Sequence, residues 1–305
     1  MKNPLGSLMR YILPFGLAYL AYTFFGPLGA LAVVAVILLA GFFLNRGMVY
    51  QNQASKKYHK GDFDGALNDL KSAVNHDPKN AKIRSTYAFL LLKLGNPEEA
   101  AIQIDEALKG ALEADKNAMR VTKSLILWKQ GKLDEAIEEL TELIKTYETT
   151  NVYATLGFLL IEKGDLDKAL EFNLLAKEFN SSSPIIMDNL GCAYLLLGED
   201  EKALEVYQEV MKNKPNFPEA FYNYARVLER MGDLEKALYM VRHALTLRFW
   251  NTSTVSKDEV EAYLRTLEVK DQEIQAELSE KKRQAKEAAA AQEAEVEGSD
   301  NTQDK

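Results

Sequence analysis

The chain has 305 residues, 37 Lys and Arg against 45 Asp and Glu, a net charge of −8 and one cysteine, Cys192. A single cysteine excludes an internal disulfide framework and any Cys-x-x-Cys metal pair. The three histidines, His59, His76 and His243, stand at unrelated positions and set no His-x-x-x-His pair, so converging catalytic or metal-ligating chemistry is absent from the inventory.

Charge is uneven along the chain. Residues 1–60 hold Lys2, Arg10, Arg46, Lys56, Lys57 and Lys60 and no acid, so the remainder carries −14. From Tyr11 to Asn45 the chain is uncharged, rich in Leu, Ala, Val and Phe, and interrupted by Gly26-Pro27-Leu28-Gly29. As one straight helix, at ~1.5 Å per residue, this run would be about 52 Å long against a hydrocarbon core of roughly 30 Å. Split at Gly26-Pro27, residues 1–46 form a transmembrane helical hairpin with arms at about 8–25 and 28–45, its flanking cations all on one side. The positive-inside preference then sets that side, and with it the chain beyond residue 46, in the cytoplasm. The alternative is a single span near 27–45 preceded by an interfacial or re-entrant segment around Pro14, with the chain beyond residue 46 outside. No small-x-small site with a polar mature start comes after the apolar run, which speaks against a cleaved signal peptide. Lys56, Lys57 and Lys60, about ten residues from the span, read either as attracted to anionic headgroups or as a topology signal alone.

Beyond this run six glycines recur at gaps of 33 to 36 residues: Gly61, Gly95, Gly131, Gly164, Gly198 and Gly232. Five residues after each stands an alanine: Ala66, Ala100, Ala136, Ala169, Ala203 and Ala237. Seven before and twelve after each, the residue is small or aliphatic, as at Ala54, Ser124 and Gly191, or at Ala73, Leu143 and Val210. A period of this length is the signature of a helical solenoid. Small side chains at fixed turns let two antiparallel helices approach closely, and glycine supplies the permissive backbone between them. Acidic residues soon after four of the glycines fit the start of a second helix, where carboxylates meet unpaired amides.

Residues 256 to about 285 read as one more helix, with Val260, Tyr263, Leu264 and Leu267 on one face. Solenoids need such a terminal cap. The basic run Lys281-Lys282-Arg283 with Lys286 is surrounded by Glu277, Glu280 and Glu287, so it reads as salt-bridged surface and not as a nucleic-acid site. Residues 286–305 are too polar to bury anything and read as a disordered tail.

The segments Gly164-Asp-Leu-Asp-Lys-Ala169 and Gly232-Asp-Leu-Glu-Lys-Ala237 resemble the loop and second helix of the tetratricopeptide repeat. Tyr50, Tyr153 and Phe221 match the large residue that precedes the small one, while Arg84 and Arg120 depart from the family there. The resemblance covers about residues 47–251. It implies an all-α fold, a right-handed α-solenoid of six hairpins at about 47–80, 81–114, 117–150, 150–183, 184–217 and 218–251. A capping helix at 252–285 and the tail at 286–305 complete the chain. It also implies a concave groove lined by the ninth and twelfth positions of successive repeats: Phe89 and Leu92, Leu125 and Trp128, Phe158 and Ile161, Cys192 and Leu195, Arg226 and Glu229. Apolar ninth positions suggest a hydrophobic stripe that ends in charge. The competing reading has the same side chains packed between hairpins or covered by the 256–285 helix. Gln51 and Ser55 stand where relatives that clamp acidic carboxyl termini carry Lys and Asn, so that clamp is not expected.

The expectation is a scaffold or adaptor anchored in the inner, cytoplasmic membrane. It would bind protein partners at the cytoplasmic face and contact the lipid bilayer, with no catalysis, cofactor, metal, nucleic acid or small-molecule substrate. The alternative is a chaperone-like receptor for apolar segments of nascent or envelope proteins.

Overall fold

All six hairpin glycines adopt the left-handed conformation, with φ between +77° and +87°. That region costs a side-chain-bearing residue strain and costs glycine nothing, so the repeat of glycine in the sequence is a repeat of chain reversals. A computed structural model describes the backbone of residues 4–300 and, within that range, the side chains of 13–41 and 45–288.

Fourteen helices are described and no strand. They are α1 (Pro4–Leu44), α2 (Arg46–His59), α3 (Phe63–His76), α4 (Ala81–Lys93), α5 (Pro97–Gly110), α6 (Glu113–Lys129) and α7 (Leu133–Ile144). Next come α8 (Thr150–Lys163), α9 (Leu166–Phe179), α10 (Pro184–Leu197), α11 (Asp200–Lys212), α12 (Pro218–Arg230), α13 (Leu234–Ala244) and α14 (Lys257–Asp300). Each glycine of the series joins the two helices of a pair, from α2 with α3 to α12 with α13, as an all-α solenoid requires.

The chain divides into two compact units, residues 1–126 and 127–305. In both, the periodic small residues form the seam of the hairpin. Ala66, Ala100, Ala136, Ala169, Ala203 and Ala237 are fully buried, as are Ala73, Ala107, Leu143, Ala176, Val210 and Ala244. On the first helices Ala88, Ser124 and Ala225 are equally closed off. The first unit gathers Ile83, Leu90, Leu91 and Ile104 around this seam, and the second gathers Leu190, Tyr207, Val227, Val241 and Leu267.

Helix α1 is not regular throughout. Gly26 has φ 68° and ψ −166°, a conformation open to glycine alone, and it divides α1 into two helical halves. A Cβ built on Gly29 would lie 2.9 Å from the Ala21 carbonyl oxygen and 2.4 Å from the Phe25 Cβ, so the chain turns back sharply between them. Less-exposed residues recur at 14, 18 and 21 before the break and at 30, 33, 37 and 41 after it, one stripe on each half. The stretch Leu13–Gly41 is long and apolar enough to cross a membrane.

The other end differs from what composition suggested. The helix of α14 starts at Lys257 and continues past 285 to Asp300, across residues read as disordered; 301–305 lie outside the described residues. The segment from Lys286 is mostly Ala, Glu and Gln, all good helix formers, so it needs no burial to continue the helical path already set by Val260 and Leu267.

Candidate protein-binding groove

The side chains expected in the groove fall into two groups by burial. Leu92 and Leu195 are fully closed from solvent, Leu92 in the core of the first unit and Leu195 in that of the second. They are core residues and not groove residues. Three positions along a helix rotate a side chain by about 300°, so the twelfth position points some 60° off the ninth and, in these two hairpins, into the seam.

In the first unit Phe89 is 40% exposed, and the Lys93 ammonium stands 5.5 Å from its ring centroid and 5.6 Å from that of Tyr58. Leu125 lies half-buried against the core of the same unit.

The second unit holds the richer face. Trp128 at the end of α6 and Phe158 of α8 meet edge to face, with ring centroids 4.8 Å apart, and both are half-buried, as is Ile161. The Trp128 indole lies beside the Glu162 carboxylate and favours its charged form. Burial pushes the Glu162 carboxyl up, partly offset by Lys129, while burial pulls the Lys129 ammonium down, partly offset by Glu162 and Glu219. The two charges are thus partly desolvated beside an aromatic pair, and the Lys129 ammonium stands 3.7 Å from the Trp128 ring centroid.

Further along, Cys192 is half-buried and its thiol is pushed up to about 12, mainly by burial and then by the nearby Asp188. It is an inert packing residue. Arg226 donates to Asn223 Oδ1 at 3.4 Å and stands 5.6 Å from the Tyr222 ring centroid. Glu229 is taken up by α14: Tyr263 Oη donates to it at 2.8 Å and Lys270 Nζ at 3.0 Å. Tyr222 Oη donates to Glu259 of α14 at 3.4 Å, and the Tyr222 and Tyr263 rings meet edge to face. The face of the sixth hairpin is therefore covered by α14, and the charged end of the expected stripe is a helix-docking site.

The loop before α14 adds a second cover. Thr254 N donates to Glu219 Oε1 at 3.0 Å, and Lys129 Nζ donates to the Ser253 carbonyl at 3.4 Å, joining residues 124 positions apart within one unit. The surface left half-open is that of Trp128, Phe158 and Ile161, with Lys129 and Glu162 beside it.

Sequence reasoning missed the buried polar wall behind this surface. Asp188 is nearly closed from solvent, accepts from Tyr207 Oη at 3.0 Å and from Asn223 Nδ2 at 3.4 Å, and lies near the buried Glu219. Its signal was present: ten residues before the glycine the third and fourth repeats carry Val121 and Ala154, where the fifth carries an acid. Among the described residues no group of three or more His, Cys, Asp or Glu is arranged to hold a metal ion.

A solenoid of paired helices with a seam of small residues and an aromatic inner surface defines a helical-repeat protein. Tetratricopeptide repeat profiles match residues 58–115 and 121–248, and the chain belongs to that family. The Homo sapiens DnaJ homolog subfamily C member 3 is 24% identical over 203 residues, 61% of this chain and 40% of that protein. The Homo sapiens mitochondrial import receptor subunit TOM70 is 24% identical over 172 residues, 53% of this chain and 28% of the receptor. The chain spans less than half the length of these relatives. Among solved structures, a tetratricopeptide repeat protein from Parabacteroides merdae superposes with a TM-score of 0.61 at 15% identity, covering 83% of this chain and 98% of that one. The type IV pilus biogenesis factor PilW superposes at 0.55 and 14% identity, covering 72% and 97%. These identities speak for the fold alone.

Proposed function

We propose that this chain is a membrane-anchored scaffold whose repeats hold a protein partner at the cytoplasmic face of the inner membrane. Tetratricopeptide repeat proteins mediate protein–protein interactions and are typically non-catalytic. The observation that carries the binding role is the half-open aromatic pair Trp128 and Phe158 beside the partly desolvated Lys129 and Glu162. An apolar anchor with flanking charges in place is what a bound peptide needs in order to gain affinity and orientation together. Phe89 and Lys93 supply a smaller surface of the same kind on the first unit.

The anchor is supported by the apolar Leu13–Gly41 stretch and by the turn at Gly26. Two arms joined by that turn, with Arg10 and Arg46 beyond them, leave the repeats on the cation-rich side. Anchoring raises the effective concentration, so a groove of micromolar affinity can still organise a complex in the bilayer plane. A reporter fused after Lys305 that works only in the cytoplasm is expected to be active; a full-length but inactive fusion would overturn the topology.

The binding test compares partners retained by the wild type and by Phe158→Glu, after both are shown to melt alike. Loss of one stoichiometric protein is the expected result, and identical partner sets would remove the inner surface from consideration. The names of the relatives, an import receptor and a DnaJ homolog, favour a second reading, a receptor for apolar segments. Loss of many unrelated apolar clients would select it.

A further inference from the structure

Exposed apolar residues interrupt the outer surface of the repeats singly at Ile102 and Tyr239, and as an adjacent pair in the fourth repeat. Ten and eleven residues after the hairpin glycine, the other five repeats carry Lys71 and Ser72, Asp105 and Glu106, Thr141 and Glu142, Gln208 and Glu209, Arg242 and His243. The fourth repeat carries Leu174 and Leu175, which are 39% and 50% exposed on α9, with Phe179 one turn on at 42%. At about 100° per residue, Glu171 and Glu178 project from α9 between the two leucines. Both acids are exposed, and among the described residues neither is in an ion pair. Glu138 and Glu205 hold the register position of Glu171 in the hairpins on either side, so the apolar patch sits in an acidic row.

The distal part of α14 has the opposite chemistry. Every residue from 272 to 288 is exposed, and the hydrogen bonds and ion pairs of this segment are internal to the helix. Ile274, Leu278 and Ala285 fall within about 40° of one another around the helix, flanked by Lys281 on one side, with Glu277 about 40° beyond it, and by Lys282 and Lys286 on the other. Asp271 lies at the base of that face. Glu273, Glu280 and Glu287 lie on the opposite face, where Glu280 and Glu287 pair with Arg283. An isolated helix of this length gains most of its order from a partner that takes its apolar face.

We propose that the distal half of α14 in one copy docks on the outer face of α9 in a second copy, with Ile274 and Leu278 on Leu174, Leu175 and Phe179 and the lysines on Glu171 and Glu178. Each copy offers both surfaces, so a two-fold arrangement exchanges the contact reciprocally and closes the dimer. A helix laid on one helix is at the small end of interfaces, and the dimer is a weak one that forms with rising concentration.

The test is the protein mass of the full chain in detergent micelles, by light scattering over a concentration series. The wild type is expected to rise from 34.3 kDa toward twice that mass. Leu174→Ser with Leu175→Ser, and separately Lys281→Glu with Lys282→Glu, are expected to stay at one chain while melting like the wild type. Glu171→Lys with Glu178→Lys, placed in the Lys281→Glu, Lys282→Glu background, is expected to restore the mass increase, because the charges are exchanged and the apolar contact kept. A wild type that stays at one chain, a dimer that survives both sets of changes, or a charge exchange that restores nothing would each overturn the proposal. So would hydrogen-exchange protection of residues 271–288 that depends on anionic lipid in nanodiscs and not on protein concentration, since the lysine-bordered face would then serve a lipid surface.

Discussion

At the residue scale, Gly191 of α10 packs closely against the ring of Tyr207 of α11. A Cβ built on Gly191 would stand 2.7 Å and 2.8 Å from two atoms of the tyrosine ring. The ring cannot swing away without giving up the bonds from its hydroxyl to Asp188 O and Oδ1, at 3.2 and 3.0 Å. Gly191→Ala is therefore expected to cost about 1–3 kcal/mol by overpacking, read as a lower denaturation midpoint. No loss would mean that the ring relaxes freely. Asp188 itself yields a pH dependence. Burial and then Glu219 push its carboxyl up to about 7, against the pull of the Tyr207 and Asn223 hydrogen bonds; Cys192 and Arg226 also stand within its field. An unfolded Asp titrates at about 3.9, so between those two values the folded chain holds a proton that the unfolded chain has released. The contribution of this group to stability is thus greatest below about pH 4, falls as pH rises to about 7, and is constant above. Asp188→Asn keeps the shape without the charge. It is expected to flatten the stability profile across that window and to raise stability at pH 8 by up to about 4 kcal/mol. A profile that keeps its slope in the variant would place the titration elsewhere.

At the element scale, the second helices of the hairpins begin differently. Asp62 Oδ1 accepts from Gly65 N at 2.9 Å and Asp233 Oδ1 from Lys236 N at 3.2 Å, while Asn96, before α5, caps nothing. Asp62→Ala and Asp233→Ala are expected to lower stability by about 1 kcal/mol each, and Asn96→Ala to change it little, in thermal unfolding. Equal effects at all three would remove the capping account. The hairpins themselves were legible because the glycine needs positive φ and the alanine needs contact with the facing helix, and both demands repeat with the period. The partition of the groove was less legible. Leu92 and Leu195 carry the same residue type as a groove position would, and only the local rotation of α4 and α10 turns them into the core. That α14 covers Glu229 was one of the two readings the sequence left open, whereas the Lys129 to Ser253 contact was beyond reach: it joins distant segments through a single hydrogen bond, which leaves no period in the sequence. The continuation of α14 past 285 was missed because composition too polar for a core was equated with disorder, although the same residues are strong helix formers.

At the scale of the whole molecule, a solenoid is stabilised between neighbours, so its last repeat depends on whatever covers it. Here the base of α14 and the loop before it are that cover. Val260 and Leu267 are fully buried and Val255 nearly so, in one cluster with Leu228, Leu238 and Val241 of the sixth hairpin. Burying each such side chain is worth about 1.5–3 kcal/mol, so removing all three takes roughly 6 kcal/mol from the repeat they cover. The loss also strips Thr254 N from Glu219, a buried carboxylate left without that donor. Against a typical domain stability of about 5–15 kcal/mol, that is enough to unfold a terminal hairpin locally. A chain truncated after Asn251 is therefore expected to lose hydrogen-exchange protection in α12 and α13 while α2 to α5 keep theirs, because interactions in a solenoid pass between adjacent repeats. Truncation after Gln272 is the control: it retains Val255, Val260 and Leu267 and the Lys270 to Glu229 pair, removes only exposed helix among the described residues, and is expected to leave exchange in α12 and α13 unchanged. If the shorter chain keeps its protection in α13, the sixth hairpin closes its own end and α14 is an appendage; if the longer one loses it too, the distal helix bears on stability in a way its exposure gives no reason to expect.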